Sequence, residues 1–146
     1  GAERANDADL AVIWLERPVE LPHLGVRLAD SEVRAQESLI MAGYGHDRSV
    51  GSRHGARYFR KNLVTRVPTP TEGRALYVQQ GSFLYDGFDG GPCFREEGQE
   101  RRLVGIAGLS TSEGLSFTST FFYQDWLRSE VQRAEAAGTA ELPAFP

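Results

Sequence analysis

The apolar residues of this chain fall into short runs broken by glycine and proline, and only one stretch, near the end, changes to helical spacing. Runs this short suit strands better than amphipathic helices, and many short strands joined by glycine-rich turns argue for an antiparallel barrel or sandwich. Asp9 to Leu15 reads as a buried strand, rich in β-branched and aromatic residues. Gln36 to Tyr44 reads as a second. Arg57 to Val67 reads as a third, with one irregularity in its alternation. Ala75–Gln79, Leu103–Leu109 and Leu115–Thr120 complete the set. Arg95 to Arg102 is a charged hairpin tip, where Gly98 supports a tight turn. From Phe121 to Ala137, Phe122, Trp126, Leu127 and Val131 recur at helical spacing, and Gly138 stands where a helix should stop.

Composition narrows the function classes. With 40% hydrophobic and 25% charged residues the chain is an ordinary globular sequence. Net charge is −4 and the basic residues are scattered, which argues against nucleic acid as a partner. No apolar run reaches membrane-spanning length, and no signal segment opens the chain. Cys93 is the single cysteine, so no internal disulfide forms and the core alone must hold the domain. That favours a bacterial or intracellular origin over an animal extracellular one. No metal or cofactor is expected.

Four segments, in order, resemble the chymotrypsin/trypsin family of serine proteases. Asn6-Asp7-Ala8-Asp9-Leu10-Ala11-Val12-Ile13 is similar to the strand led by the triad aspartate. Met41-Ala42-Gly43-Tyr44-Gly45 is similar to the family's Gly-aromatic-Gly strand end. Gly90-Gly91-Pro92-Cys93-Phe94 is similar to the segment just past the nucleophile. Leu103-Val104-Gly105-Ile106, then Phe117-Thr118, then Trp126-Leu127, resemble the family's ending. The resemblance implies an all-β fold: an antiparallel six-stranded Greek-key barrel, the second of the family's two, with the last strand of the first and a C-terminal helix. Residues 1–35 would end the first barrel and link the two. Residues 36–120 would form the second barrel, 121–138 the helix and 139–146 a tail.

Catalysis in this family needs a serine nucleophile, a histidine base, an aspartate that orients the histidine, and backbone N–H groups around the developing oxyanion. The resemblance assigns Asp9 to the orienting role, ahead of Asp7. It assigns Gly87, Phe88, Asp89, Gly90 and Gly91 to the nucleophile loop and oxyanion hole. No histidine precedes Asp9, and His23, His46 and His54 fall in polar stretches read as solvated loops. The serine is missing too. Aligned without a gap, Asp89 replaces it and Phe88 replaces the preceding aspartate. Aligned with one residue missing between Asp89 and Gly90, the aspartate falls in place and only the serine is absent. One event explains more than two, and a chemically modified serine, such as one bearing a covalent inhibitor, would leave that gap. This alignment predicts that Asp89 and Gly90 are not joined by a normal peptide bond. Cys93 reads as a small buried hydrophobe rather than a substitute nucleophile.

The resemblance places the floor of the substrate pocket at Phe83 or Leu84 and its wall at Gly108, Leu109 and Ser110. An uncharged floor predicts an apolar or small side chain at the scissile position, although Asp86 lies close by. The function so implied is a serine endopeptidase acting on peptide or protein substrates, with its histidine on a companion N-terminal segment. The alternative is a pseudoprotease, keeping the fold as a binding or regulatory module. A third reading is an unrelated small barrel that binds a ligand. Leu10 to Leu15 is apolar on both faces, so the strand expects burial on both, and the chain is expected not to fold without its companion.

Overall fold

The computed structural model describes residues 8–17, 26–44, 46–47, 57–80, 84–85, 89–108 and 110–139. At 46, 47, 84, 85, 138 and 139 it describes the backbone alone. Nine strands and one helix follow in sequence: β1 (Arg27–Leu28), β2 (Ser38–Gly43), β3 (His46–Asp47), β4 (Tyr58–Arg66), β5 (Arg74–Gln79), β6 (Leu84–Tyr85), β7 (Pro92–Glu97), β8 (Glu100–Ala107), β9 (Leu115–Ser119) and α1 (Gln124–Thr139). Strands β2, β4, β5, β9, β8 and β7 form a closed ring in that order, and all its pairings are antiparallel. Three strands consecutive around the ring are followed by the last, then the two that precede it, which is a Greek-key arrangement. Closure removes the open edges that would otherwise invite aggregation. β1 lies outside the ring, parallel to β8. β3 and β6 form a separate two-stranded ribbon.

Period-two alternation fills the barrel. Leu39 and Met41 point inward from β2, Val64 from β4, Ala75 and Tyr77 from β5, Val104 from β8 and Phe117 from β9. Burying side chains of this size is worth about 1.5–3 kcal/mol each. Phe117 packs its ring 6.1 Å from that of Tyr77. It also explains Gly105, where any Cβ would collide with the Phe117 ring. The third strand carries a register shift between Val64 and Arg66, whereas the apolar positions Tyr58, Leu63, Thr65 and Val67 put the change of phase earlier, between Tyr58 and Leu63.

The structure departs from the sequence reading in four places. Leu10 to Leu15 makes no sheet pairing, and Val12, Ile13, Trp14 and Leu15 are all exposed. The apolar pattern is that of a strand, but a strand needs neighbours and the barrel's ring is already closed without it. The hairpin tip shrinks to Gly98 and Gln99, because Arg95–Glu97 and Glu100–Arg102 pair as strand. Gly98 takes the left-handed conformation, with φ of 63°, that this tight turn requires. The short strands β1, β3 and β6 lie in stretches that carry no clear alternation. The helix begins three residues late, since Phe121–Tyr123 form a turn, and it runs through Gly138 to Thr139.

Candidate active-site region

The end of β8 is the hub of the site. On one side, the turn at Asp89–Gly91 docks through two backbone bonds: Gly90 N–H donates to Ala107 O at 2.8 Å, and Ala107 N–H donates to Gly91 O at 2.9 Å. Gly90 has φ of 77°, a left-handed conformation that glycine adopts without strain. On the other side, Asp9 Oδ2 lies 3.5 Å from where a side chain would begin at Gly108. Thr118 Oγ1 on β9 holds this segment by donating to Ala8 O at 2.9 Å, and Ala8 is buried. Gly108 N–H donates in turn to Ser116 O at 3.0 Å. Segments far apart in sequence, one led by Asp9 and one by Asp89, therefore meet at Ala107–Gly108.

Asp9 itself is exposed and adopts a left-handed backbone with φ of 55°, which aspartate tolerates better than most residues. The family's orienting aspartate works buried beside a histidine. Asp89 is exposed. Beneath the turn, Tyr77 and Cys93 are buried. Burial pushes the Cys93 thiol far up from its ordinary value. Burial also pushes the Tyr77 hydroxyl up, and the nearby Cys93 and Asp89 add to that shift. A thiol held neutral and out of solvent is not a nucleophile, in agreement with the reading of Cys93 as a buried hydrophobe.

Of the pocket residues, Gly108 sits at the hub and Ser110 is exposed. Leu84 lies in β6, where its backbone pairs with Asp47. Phe83, Asp86, Gly87, Phe88 and Leu109 lie outside the described residues, as do Asp7, His23 and His54. The backbone of His46 pairs with Tyr85 in the β3–β6 ribbon. Among the described residues no group of three or more His, Cys, Asp or Glu is placed to hold a metal ion, and no helix is long and apolar enough to cross a membrane. Thr118 belongs to one of the resembling segments, but nothing in the sequence gives its hydroxyl a role. It is one threonine on an apolar strand, and only the chain path shows that its hydroxyl faces the Asp9 segment.

A closed six-stranded Greek-key barrel, one strand outside it and a helix at the C-terminus match a barrel of the trypsin-like fold. Among solved structures, the scabies mite inactivated protease paralogue S-I1 superposes with a TM-score of 0.62 at 17% identity, over 82% of this chain and 58% of that one. Kallikrein-related peptidase 10 superposes with a TM-score of 0.53 at 14% identity, over 81% of this chain and 62% of that one. This chain thus spans about three fifths of each of these structures. No family model matches the sequence, and no curated protein does.

Proposed function

We propose that this chain is a noncatalytic trypsin-fold module that works by binding. One observation carries the reading: from Asp86 to Phe94 the only hydroxyl or thiol is that of Cys93, which is fully buried. The turn that should present a nucleophile presents Asp89 and two glycines instead. A carboxylate there cannot stand in for the serine, because acyl transfer by this fold needs a deprotonated hydroxyl aimed at the substrate carbonyl.

The endopeptidase reading keeps one supporting observation, the meeting of the Asp9 segment and the Asp89–Gly91 turn at one strand end. It requires a serine between Asp89 and Gly90 and a histidine from a companion segment. Intact mass spectrometry of the natural protein, with fluorophosphonate labelling, separates the two. The binding module has a mass that matches the sequence across a peptide spanning Asp89–Gly90, and it takes no label. A peptide heavier by a serine residue, free or modified, together with labelling, would establish the protease.

A companion polypeptide fits either reading. Ile13 is 79% exposed and Trp14 56% exposed, beside Val12 and Leu15. A run of large apolar side chains in water is an interaction site or an aggregation liability. Its β-branched composition suits pairing with a strand supplied by that companion.

A further inference from the structure

A concavity lies on the outward face of the barrel. It is a cleft of about 730 Å³ whose walls include Tyr44, Arg57, Phe59, Phe94 and Arg101, with the Asp89–Gly91 turn at one end. That volume falls in the range of ligand-binding clefts. Strand register builds it. Ala42 pairs with Phe59 and Ile40 with Phe94, so these four share the outer face of β4, β2 and β7. Glu96 opposite Arg101 extends the face onto β8.

Two features mark this face as more than barrel exterior. Phe59 is 43% exposed and Tyr44 is 62% exposed, so two aromatic rings stand in solvent at one cleft. The guanidinium carbons of Arg57 and Arg101 stand 5.1 Å and 5.9 Å from the Phe59 ring centroid, within cation–π range. Arg101 meets Glu96 at 3.7 Å with both side chains half exposed, a contact worth little. Arg57 has no carboxylate at ion-pair distance among the described residues. Among the described residues Asp89 is the only acid lining the cleft, and it stands at the turn end. In a chain of net charge −4, this is a locally cationic, aromatic surface.

We infer that the cleft docks an extended peptide segment in which a carboxylate side chain stands beside an aromatic one. The carboxylate lies between Arg57 and Arg101, and the aromatic ring stacks against Phe59 and Tyr44. Two arginines are too few to follow a phosphate backbone. They suit one or two carboxylates, which a guanidinium fork grips in its plane. The inference deepens the binding-module reading and rests on it.

The test is fluorescence polarisation with a fluorescein-labelled peptide alternating glutamate and phenylalanine, against a control with lysine for glutamate. The acidic peptide is expected to bind and the lysine peptide not, with affinity falling as salt shortens the Debye length. Arg57→Glu and Arg101→Glu are each expected to weaken binding about tenfold or more, and Phe59→Ala by a similar factor. Circular dichroism melts confirm that each variant folds. Arg57→Gln and Arg101→Gln replace any charge reversal that does not. Equal binding of the two peptides, binding of neither, or folded arginine variants that bind as the parent does would overturn the inference. Chromatography of the recovered peptide tests the other reading separately: cleavage would overturn the noncatalytic assignment, while docking is still judged from the polarisation data.

Discussion

Arg95 is 7% exposed, and all its nitrogens serve the loop between β1 and β2. Nε and Nη2 donate to Glu37 Oε1 and Oε2 at 2.5 Å and 3.1 Å, Nη1 donates to Ser31 O and Oγ, and Nη2 also donates to Glu32 O. Removing one partner of a buried pair strands the other, so Arg95→Met is expected to cost about 3 kcal/mol in urea unfolding. Burial by itself raises the Glu37 pKa, but hydrogen bonds from Arg95 and from the Arg34 N–H, with their charges, outweigh it and leave the value lowered. A lowered folded-state pKa gives stability that is present above the unfolded-state value and lost as pH falls through the folded one. Acid unfolding should therefore steepen below about pH 4.3, the ordinary glutamate value, and Glu37→Gln should flatten that limb. Asn62 presents the opposite case. It is fully buried on β4, with neither amide atom hydrogen-bonded. Asn62→Leu is expected to raise stability by about 1–2 kcal/mol, read as a higher denaturation midpoint at unchanged slope. None of this was legible in advance, because Arg95 reads as part of a solvated tip and Asn62 as one polar residue in an irregular strand.

At the scale of elements, the β7–β8 hairpin carries both the turn of the candidate site and the strand end that anchors it. Its inner face tolerates no side chain at Gly105, where Phe117 fills the space. Gly105→Ala is expected to cost about 1–3 kcal/mol through overpacking, and a thermal melt lower by several degrees would show it. Phe117→Leu in the same background should recover only part of the loss, because the Thr118 carbonyl oxygen would still stand 2.9 Å from the new Cβ. Alternation and turn residues made β2, β4, β5, β8 and β9 readable in outline, but not the register shift between Val64 and Arg66, across which Leu63, Thr65 and Val67 alternate without a break. β1, β3 and β6 were not readable, since two residues carry no period. The start of α1 also depends on contacts outside the helix: Phe122 N–H donates to Ser119 Oγ at 3.1 Å, and Ser119 Oγ donates to Glu32 Oε1 at 2.6 Å.

For the molecule as a whole, the closed ring narrows where the proposed companion would be needed. Every barrel strand has both its neighbours, so the dependence expected for the entire chain falls on Leu10–Leu15. The chain alone is expected to form its barrel but to self-associate through this segment. Ile13→Asp with Trp14→Ser should shift size-exclusion profiles from aggregate to monomer while leaving circular dichroism unchanged. A variant that aggregates as before would place the sticky surface elsewhere. The sequence by itself determined an all-β fold, barrel or sandwich, with a terminal helix, and a glycine turn at Asp89–Gly91 with no serine in it, because alternation, turn chemistry and the identity of residues are local properties. Only the tertiary structure decided that the Asp9 segment and the Asp89–Gly91 turn share one strand end, that Arg95 is buried against Glu37, and that two arginines stand within cation–π range of Phe59. Those facts depend on strand order and register, which join residues as distant as Ala8 and Thr118, 110 positions apart. No local pattern encodes such pairings; packing of the whole chain selects them.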